Sequence, residues 1–397
     1  MSLEVLRSRF AALLQGDKFI WLVATLLALV SVLVVYSSSE ALAMRQNAGT
    51  ESFLVKHLVI LVSSMILMYA CHNINFTRYS KYSKYLLIAA ILLLTYTLVF
   101  GANINGAARW IKIPFVGITV QTSDFAKVAL IMYVARTLAL MQEAAADPKN
   151  PAKQVSLSEL VLPILAVCGL IAPVDLSTAL SLFFTCMLLM IIGSANLRDI
   201  FSLFMLGLGL FACLVALEDY VPAIRVNTWE SRVKDFFTAP ADLTQAELGS
   251  QVIQAKMAIA KGGLLGAGPG NGTQAHFLPH AYSDYIFCII IEEYGIIGAV
   301  VVLALYLMLL MRCIRLVTKS PKAFGSMLAI GFCLAIIVQA FIHMSVNVSL
   351  VPVTGLTLPF VSMGGTSLIF TGVMFGIILS VSRYIETTAS PEAQEAK

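Results

Sequence analysis

Apolar residues in this chain fall into long runs separated by short polar stretches. Ten runs are long enough to read as helices crossing a bilayer: residues 19–37, 54–72, 83–101, 121–141, 157–173, 175–193, 199–218, 284–311, 325–347 and 363–383. A helix rising 1.5 Å per residue needs about 20 apolar residues to cover a hydrocarbon core of about 30 Å. The fifth and sixth runs meet at Ala172-Pro173-Val174-Asp175, which reads as a tight turn or a broken helix. The pattern predicts an all-α polytopic membrane protein with ten transmembrane helices, one membrane domain spanning residues 1–397. Its polar parts are a lead-in over residues 1–18, a large extracytoplasmic loop over 219–283 between spans seven and eight, and a tail over 384–397.

Composition narrows the class further. The 397 residues are 59% hydrophobic and 12% charged, with mean hydropathy +0.88. Soluble domains carry about 25% charged residues, so the reading of a water-soluble enzyme is excluded. The first apolar run, Phe19 to Tyr36, lacks a small-residue cleavage site and reads as a span rather than a signal peptide. All seven cysteines lie in or at the ends of apolar runs, and no CxxC pair occurs. They read as small packing residues, without disulfides or a cysteine metal site.

The net charge of +4 matters less than its placement. With the N-terminus inside, sixteen Lys and Arg residues fall on the cytoplasmic side and nine outside; Lys127, within the fourth span, completes the 26. Five of the outer nine lie in the long loop, which escapes the positive-inside rule. Both termini are therefore expected in the cytoplasm.

In the long loop, Trp229, Phe236 and Phe237 interleave with Arg225, Arg232 and Lys234, as suits a membrane-interface belt. Gln251 to Ala260 has helical spacing and predicts a short helix on or dipping into the membrane. The glycine-rich run from Gly262 to Gly272 matches neither a Walker loop nor GxGxxG. It reads either as backbone needing unusual dihedrals or close approach to a ligand, or as a plain flexible loop.

Candidate chemistry centres on the stretch from Leu278 to Gly295, where an apolar run carries three carboxylates. Asp284 sits at its mouth; Glu292 and Glu293 lie two turns deeper, about 12 Å along a helix. Ionisable groups in a membrane cost about 2.5–3.5 kcal/mol at the centre, so each needs a partner, a wet cavity or a function. A second constellation is Asn105-Gly106-Ala107-Ala108-Arg109-Trp110-Ile111-Lys112 followed by Gln121, Ser123, Asp124 and Lys127. Asp124 and Lys127 are i and i+3 and can pair on one helix face. Arg109 offers a bidentate fork to phosphate, or serves as an interfacial anchor beside Trp110. His276 and His280 have the spacing of a metal pair, but Pro279 between them argues against the helix such a pair needs. The last outer loop, from Asn347 to Phe360, leads into Ser362-Met363-Gly364-Gly365. It breaks regular structure at membrane depth, which requires protein or a wet cavity around it.

Together these motifs resemble the SEDS family (shape, elongation, division and sporulation). The resemblance rests on Asn105-Gly106-Ala107 with Arg109-Trp110-Ile111, the Gln121/Ser123/Lys127 set, Leu278 through Asp284 to Glu292-Glu293-Tyr294-Gly295, and Gly355 through Gly364-Gly365. It covers residues 19 to 384, and the Leu278–Phe287 wording is more like the division member FtsW than RodA. The resemblance implies a peptidoglycan glycosyltransferase acting on lipid II, with the essential carboxylate at Asp284 and an important arginine at Arg109. It implies a class B penicillin-binding transpeptidase (FtsI-like) and divisome proteins as partners, membrane lipids around it, no nucleic acid, and a bacterial inner-membrane location at the septum. The chain departs from the family where Asp124 replaces the usual Glu, Thr122 a Pro, His276 a Glu, Met363 a Tyr and His343 an Asn.

The mechanism expected from this reading has Asp284 as general base. Lys112, Gln121, Ser123, Lys127, His280, Ser362, Gly364 and Gly365 join Arg109 in binding substrate. Asp124, Glu292 and Glu293 shape or tune the cavity. No motif in the sequence specifies a cofactor; a divalent cation, Mg or Mn, or the cationic side chains would serve the anionic leaving group. Two other functions fit the same residues: a RodA-type elongation polymerase and a lipid II flippase. The absence of an internal repeat weighs against inverted-repeat transporters.

Overall fold

The computed structural model describes residues 15–45, 49–104, 107–112, 119–146, 156–217, 226–237, 251–278 and 280–389. Every predicted run is a helix. In chain order they are α1 (Lys18–Arg45), α2 (Thr50–Asn73), α3 (Phe76–Phe100), α4 (Thr122–Ala146), α5 (Leu157–Ile171), α6 (Leu176–Ile192) and α7 (Leu197–Ala216). In the long loop, α8 (Val226–Phe237) and α9 (Gln251–Gly262) follow; then α10 (Ile286–Lys319), α11 (Ala323–Asn347) and α12 (Thr366–Ala389). The helix expected from Gln251 is α9; α8 was not foreseen as a helix.

Among the described residues seven helices, α1, α2, α3, α7, α10, α11 and α12, are long and apolar enough to cross a membrane. The other three fall short for separate reasons. α4 has 25 residues but carries Asp124, Lys127, Arg136 and Glu143, while α5 and α6 have only 15 and 17 residues. Between α5 and α6 the chain turns at Ala172–Asp175, and Asp175 caps α6 by accepting the Thr178 N–H at 3.1 Å.

The all-α expectation needs one correction. A three-stranded antiparallel sheet, β1 (Ala102–Ile104), β2 (Ala107–Lys112) and β3 (Thr119–Gln121), sits between α3 and α4. Trp110 pairs with Ala102 on one side and Gln121 on the other. Strands of three to six residues carry too little alternation to stand out against neighbouring apolar runs.

α11 is the axial helix, with 89% of its apolar window buried, whereas only 11% of α7 is. α7 exposes Leu197, Phe201 and Leu208, as a helix at the lipid boundary does. α12 crosses α2 closely: a Cβ on Gly376 would lie 2.3 Å from Met68 O. Such small-residue contacts let membrane helices pack backbone to backbone.

The glycine-rich run has a structural explanation. α10 is kinked at Gly295 (φ 68°, ψ −169°), and the run packs into the kink. Ala267 N–H donates to Glu292 O at 2.8 Å, Gly268 N–H to Glu293 O at 3.0 Å and Ile296 N–H to Gly263 O at 3.0 Å. A Cβ on Gly295 would fall 2.2 Å from Leu264 O. The close approach is to the chain's own backbone.

Candidate active site

A cavity of about 700 Å³ opens at one end of the bundle, where α4, α6, α10 and α12 begin and α11 ends. On one wall stand His280, Tyr282 and Asp284, carried by the turn before α10. The lining also includes Arg109 and Trp110 from β2, Gln121 from β3, and Asp124 and Lys127 from the first two turns of α4. The sheet thus has a purpose that the sequence pattern hid: it presents Arg109 to the cavity. The last loop adds Thr354–Thr357 and Gly364-Gly365, and α8 adds Trp229 and Arg232.

Asp284 sits in a tight turn in which its N–H donates to His280 O at 3.0 Å. Burial pushes its carboxyl above the usual carboxylate range. His280, a Ser283 hydrogen bond, Arg109 and Arg232 pull it back, His280 most strongly. The result is a carboxylate held in a partly dry place but facing cations, a setting in which proton affinity is tuned for acid–base work.

Two of the cations lining the cavity, Arg109 and Lys127, lie beside carboxylates. Arg109 Nη1 donates to Asp175 Oδ2 at 2.6 Å. Lys127 Nζ donates to Gln339 Oε1 at 2.7 Å and lies 3.7 Å from Asp124 Oδ1, the pairing that the i, i+3 spacing allowed. Two buried polar atoms here, Arg109 Nε and Asp124 Oδ2, have no hydrogen-bond partner among the described residues. Buried orphans of this kind mark where an incoming polar ligand has something to gain.

Arg109, Gln121, Lys127, His280, Gly364, Gly365, Asp124 and Asp284 all line the cavity. Four other expected residues do not. Ser123 accepts a hydrogen bond from Gln121 Nε2 at 2.9 Å and faces a small crevice of about 20 Å³ instead. The Ser362 hydroxyl is spent within the fold, accepting Leu358 N–H and donating to Ser283 O, both at 2.8 Å. Glu292 accepts Thr273 N–H at 2.8 Å and Gln274 N–H at 3.2 Å, so it secures the loop after the glycine run. Glu293 receives the Ser37 hydroxyl of α1. Both glutamates are 1% exposed and neither reaches the cavity, which corrects their assignment as cavity-tuning groups. The Lys112 side chain lies outside the described residues.

Sequence reasoning missed Asp175, Gln339 and Asn347. Asp175 carried a signal, a capping residue two positions after Pro173 and directly before an apolar run. Gln339 and Asn347 sit inside or at the end of α11 and carry none. Among the described residues no group of three or more His, Cys, Asp or Glu side chains is placed to hold a metal ion, and Asp124 and Asp175 are already paired with cations. No step is therefore assigned to a metal ion held by these side chains alone.

Comparison with known proteins agrees with this architecture. The family model described as "Cell cycle protein" (FtsW/RodA/SpoVE) matches residues 17–387. The probable peptidoglycan glycosyltransferase FtsW of Geobacter metallireducens is 32% identical over 378 residues, 94% of this chain and 96% of that protein. Stage V sporulation protein E of Bacillus subtilis is 30% identical over 377 residues, 93% of this chain and 97% of that one. A chain solved in work on coordinated polymerization and crosslinking by a peptidoglycan synthase complex superposes with TM-score 0.66 at 25% identity, covering 93% of this chain and 98% of that chain. The rod shape determining protein RodA of Thermus thermophilus superposes at 0.65 with 24% identity, covering 93% and 97%. The fold, the length of the match and the level of identity place this chain in the FtsW/RodA/SpoVE family of cell cycle proteins.

Proposed function

We propose that this chain is a peptidoglycan glycosyltransferase that polymerises lipid II into glycan strands in septal wall synthesis. The observation that carries this reading is Asp284 on the wall of a polar cavity, facing Arg109, His280 and Arg232. The sugar hydroxyl of one lipid II gives its proton to the Asp284 carboxylate as its oxygen bonds to the anomeric carbon of a second. The bond from that carbon to the diphosphate breaks, and undecaprenyl diphosphate leaves with the electron pair. Arg109 and Lys127 stabilise the charge that develops on it. Gln121, His280 and the Gly364-Gly365 backbone orient the sugars.

In this reading all ten helices span the bacterial inner membrane, both termini are cytoplasmic and the cavity faces outward, where lipid II presents its sugars. α5 and α6, too short alone, cross as a pair shielded by neighbours. A class B penicillin-binding transpeptidase is the partner, in line with the synthase-complex neighbour. The FtsW names among the relatives favour division over elongation.

The test is purified full-length chain, with and without such a transpeptidase, supplied with labelled lipid II. A ladder of glycan polymer is expected. Passage of lipid II across liposomes with no polymer formed would make the protein a transporter.

A further inference from the structure

Three successive carbonyls of the segment carrying Asp284 are each held by a different group. Met363 N–H donates to Tyr282 O at 3.0 Å. Ser362 Oγ donates to Ser283 O at 2.8 Å, and Asn347 Nδ2 donates to Asp284 O at 3.0 Å. The two side-chain donors come from 79 and 63 residues away, in the loop before α12 and at the end of α11. Asn347 does more. α10 begins without a side-chain cap of its own, and Asn347 Oδ1 accepts the Cys288 N–H at 3.1 Å. It supplies from a neighbouring helix the acceptor that a capping residue normally gives. Ser362 and Asn347 are 1% and 0% exposed and neither lines the cavity, so neither can touch a substrate there.

We infer that Ser362 and Asn347 are positioning residues that fix the peptide bearing Asp284, and with it the place of the carboxylate in the cavity lining. This rests on Asp284 being the base. Turns between elements are otherwise the mobile parts of a fold. A reacting group displaced by about 1 Å can lose about a hundredfold in rate. The same loop that supplies Ser362 and Met363 also brings Gly364-Gly365 to the cavity, so one short segment sets both the base and the surface facing it.

The test compares Ser362→Ala with Ser380→Ala. Ser380 also donates a buried hydroxyl to a loop carbonyl, Ile74 O, but at the far end of the bundle. In lipid II polymerisation by the full chain with a transpeptidase present, Ser362→Ala is expected to lower kcat about tenfold or more, with KM changed less than about twofold. Ser362→Thr restores kcat. Ser380→Ala leaves kcat unchanged while lowering thermal stability by a similar amount. If Ser362→Ala yields no folded protein, Asn347→Ser, too short to reach Asp284 O, is read in the same way. Unchanged kcat in the folded variant, an equal loss in Ser380→Ala, or failure of both Ser362→Ala and Asn347→Ser to fold overturns the inference. Asp284→Asn runs in parallel. Normal polymer from it removes the base itself, whereas an inactive Asp284→Asn beside a fully active Ser362→Ala removes only the anchor.

Discussion

Asp175 binds Arg109 with one carboxylate oxygen and the first turn of α6 with the other: Oδ2 accepts Arg109 Nη1 at 2.6 Å and Oδ1 accepts Thr178 N–H at 3.1 Å. The arginine proposed to meet the diphosphate is thus held in place from the helix cap behind it. Asp175→Ala removes the cap and leaves a half-buried guanidinium unpaired, a loss of about 2 kcal/mol. Asp175→Asn keeps a capping oxygen and recovers about 1 kcal/mol of that. Thermal unfolding of the two variants checks the split. In turnover assays Arg109→Ala raises KM for lipid II, whereas Lys256→Ala, an exposed cation on α9 away from the cavity, does not.

The second pair predicts non-additivity. Asp124 and Lys127 are 6% and 7% exposed at the side chain, and Gln339 completes the ammonium's contacts. Breaking a buried pair by removing one partner costs about 3–5 kcal/mol, because the other charge stays buried. Asp124→Ala is therefore expected to be less stable than Asp124→Ala combined with Lys127→Met. A double-mutant cycle by thermal unfolding measures the coupling; additive losses would mean the pair contributes nothing.

The pH dependence follows from the environment of Asp284. Burial raises its proton affinity and His280 is the strongest opposing influence. A base must be ionised to act, so turnover rises with pH along a limb above the ordinary carboxylate range. His280→Ala removes the largest part of that opposition and moves the limb to higher pH. A raised carboxyl also binds its proton more tightly in the folded state than in the unfolded chain. Its ionisation therefore costs stability, and that cost appears as pH rises through the folded value. Asp284→Asn should then unfold at a higher temperature than the native chain at neutral pH, and at the same temperature once the carboxyl is protonated.

The kink in α10 gives a prediction about folding. Gly295 has φ of 68° and a Cβ there would sit 2.2 Å from a backbone oxygen that cannot move aside. Gly295→Ala is expected to cost more than about 3 kcal/mol or to prevent folding. Gly209→Ala, in α7 with open space around it, is expected to be close to neutral. Yield and melting temperature of the two variants in detergent decide the matter.

What the sequence disclosed follows the range of the interaction. Helices α1 to α7 and α10 to α12 are written locally, as apolar runs of helical length. The Asp124–Lys127 pair is three residues apart and was legible; the Arg109–Asp175 pair is 66 residues apart and was not. Glu292 and Glu293 looked functional because a carboxylate in an apolar run is expensive. Glu292 is held by loop N–H groups that arrive only when the glycine run folds back onto α10, and one oxygen of Glu293 by the Ser37 hydroxyl of α1, partners far away in sequence. Ser362 failed as a substrate ligand for a related reason: its hydroxyl is already engaged at both ends. The place of Asp284 in the cavity lining was legible because an acid at the start of an apolar run is a local signal.

The most direct measurement is glycan polymer formed from labelled lipid II by the Asp284→Asn protein, purified with its transpeptidase and shown by thermal melting to be folded. Loss of polymer with lipid II still bound is the predicted result. Strands of native length and yield from that protein would mean that the proton leaves by another route and that the cavity's chemistry lies elsewhere.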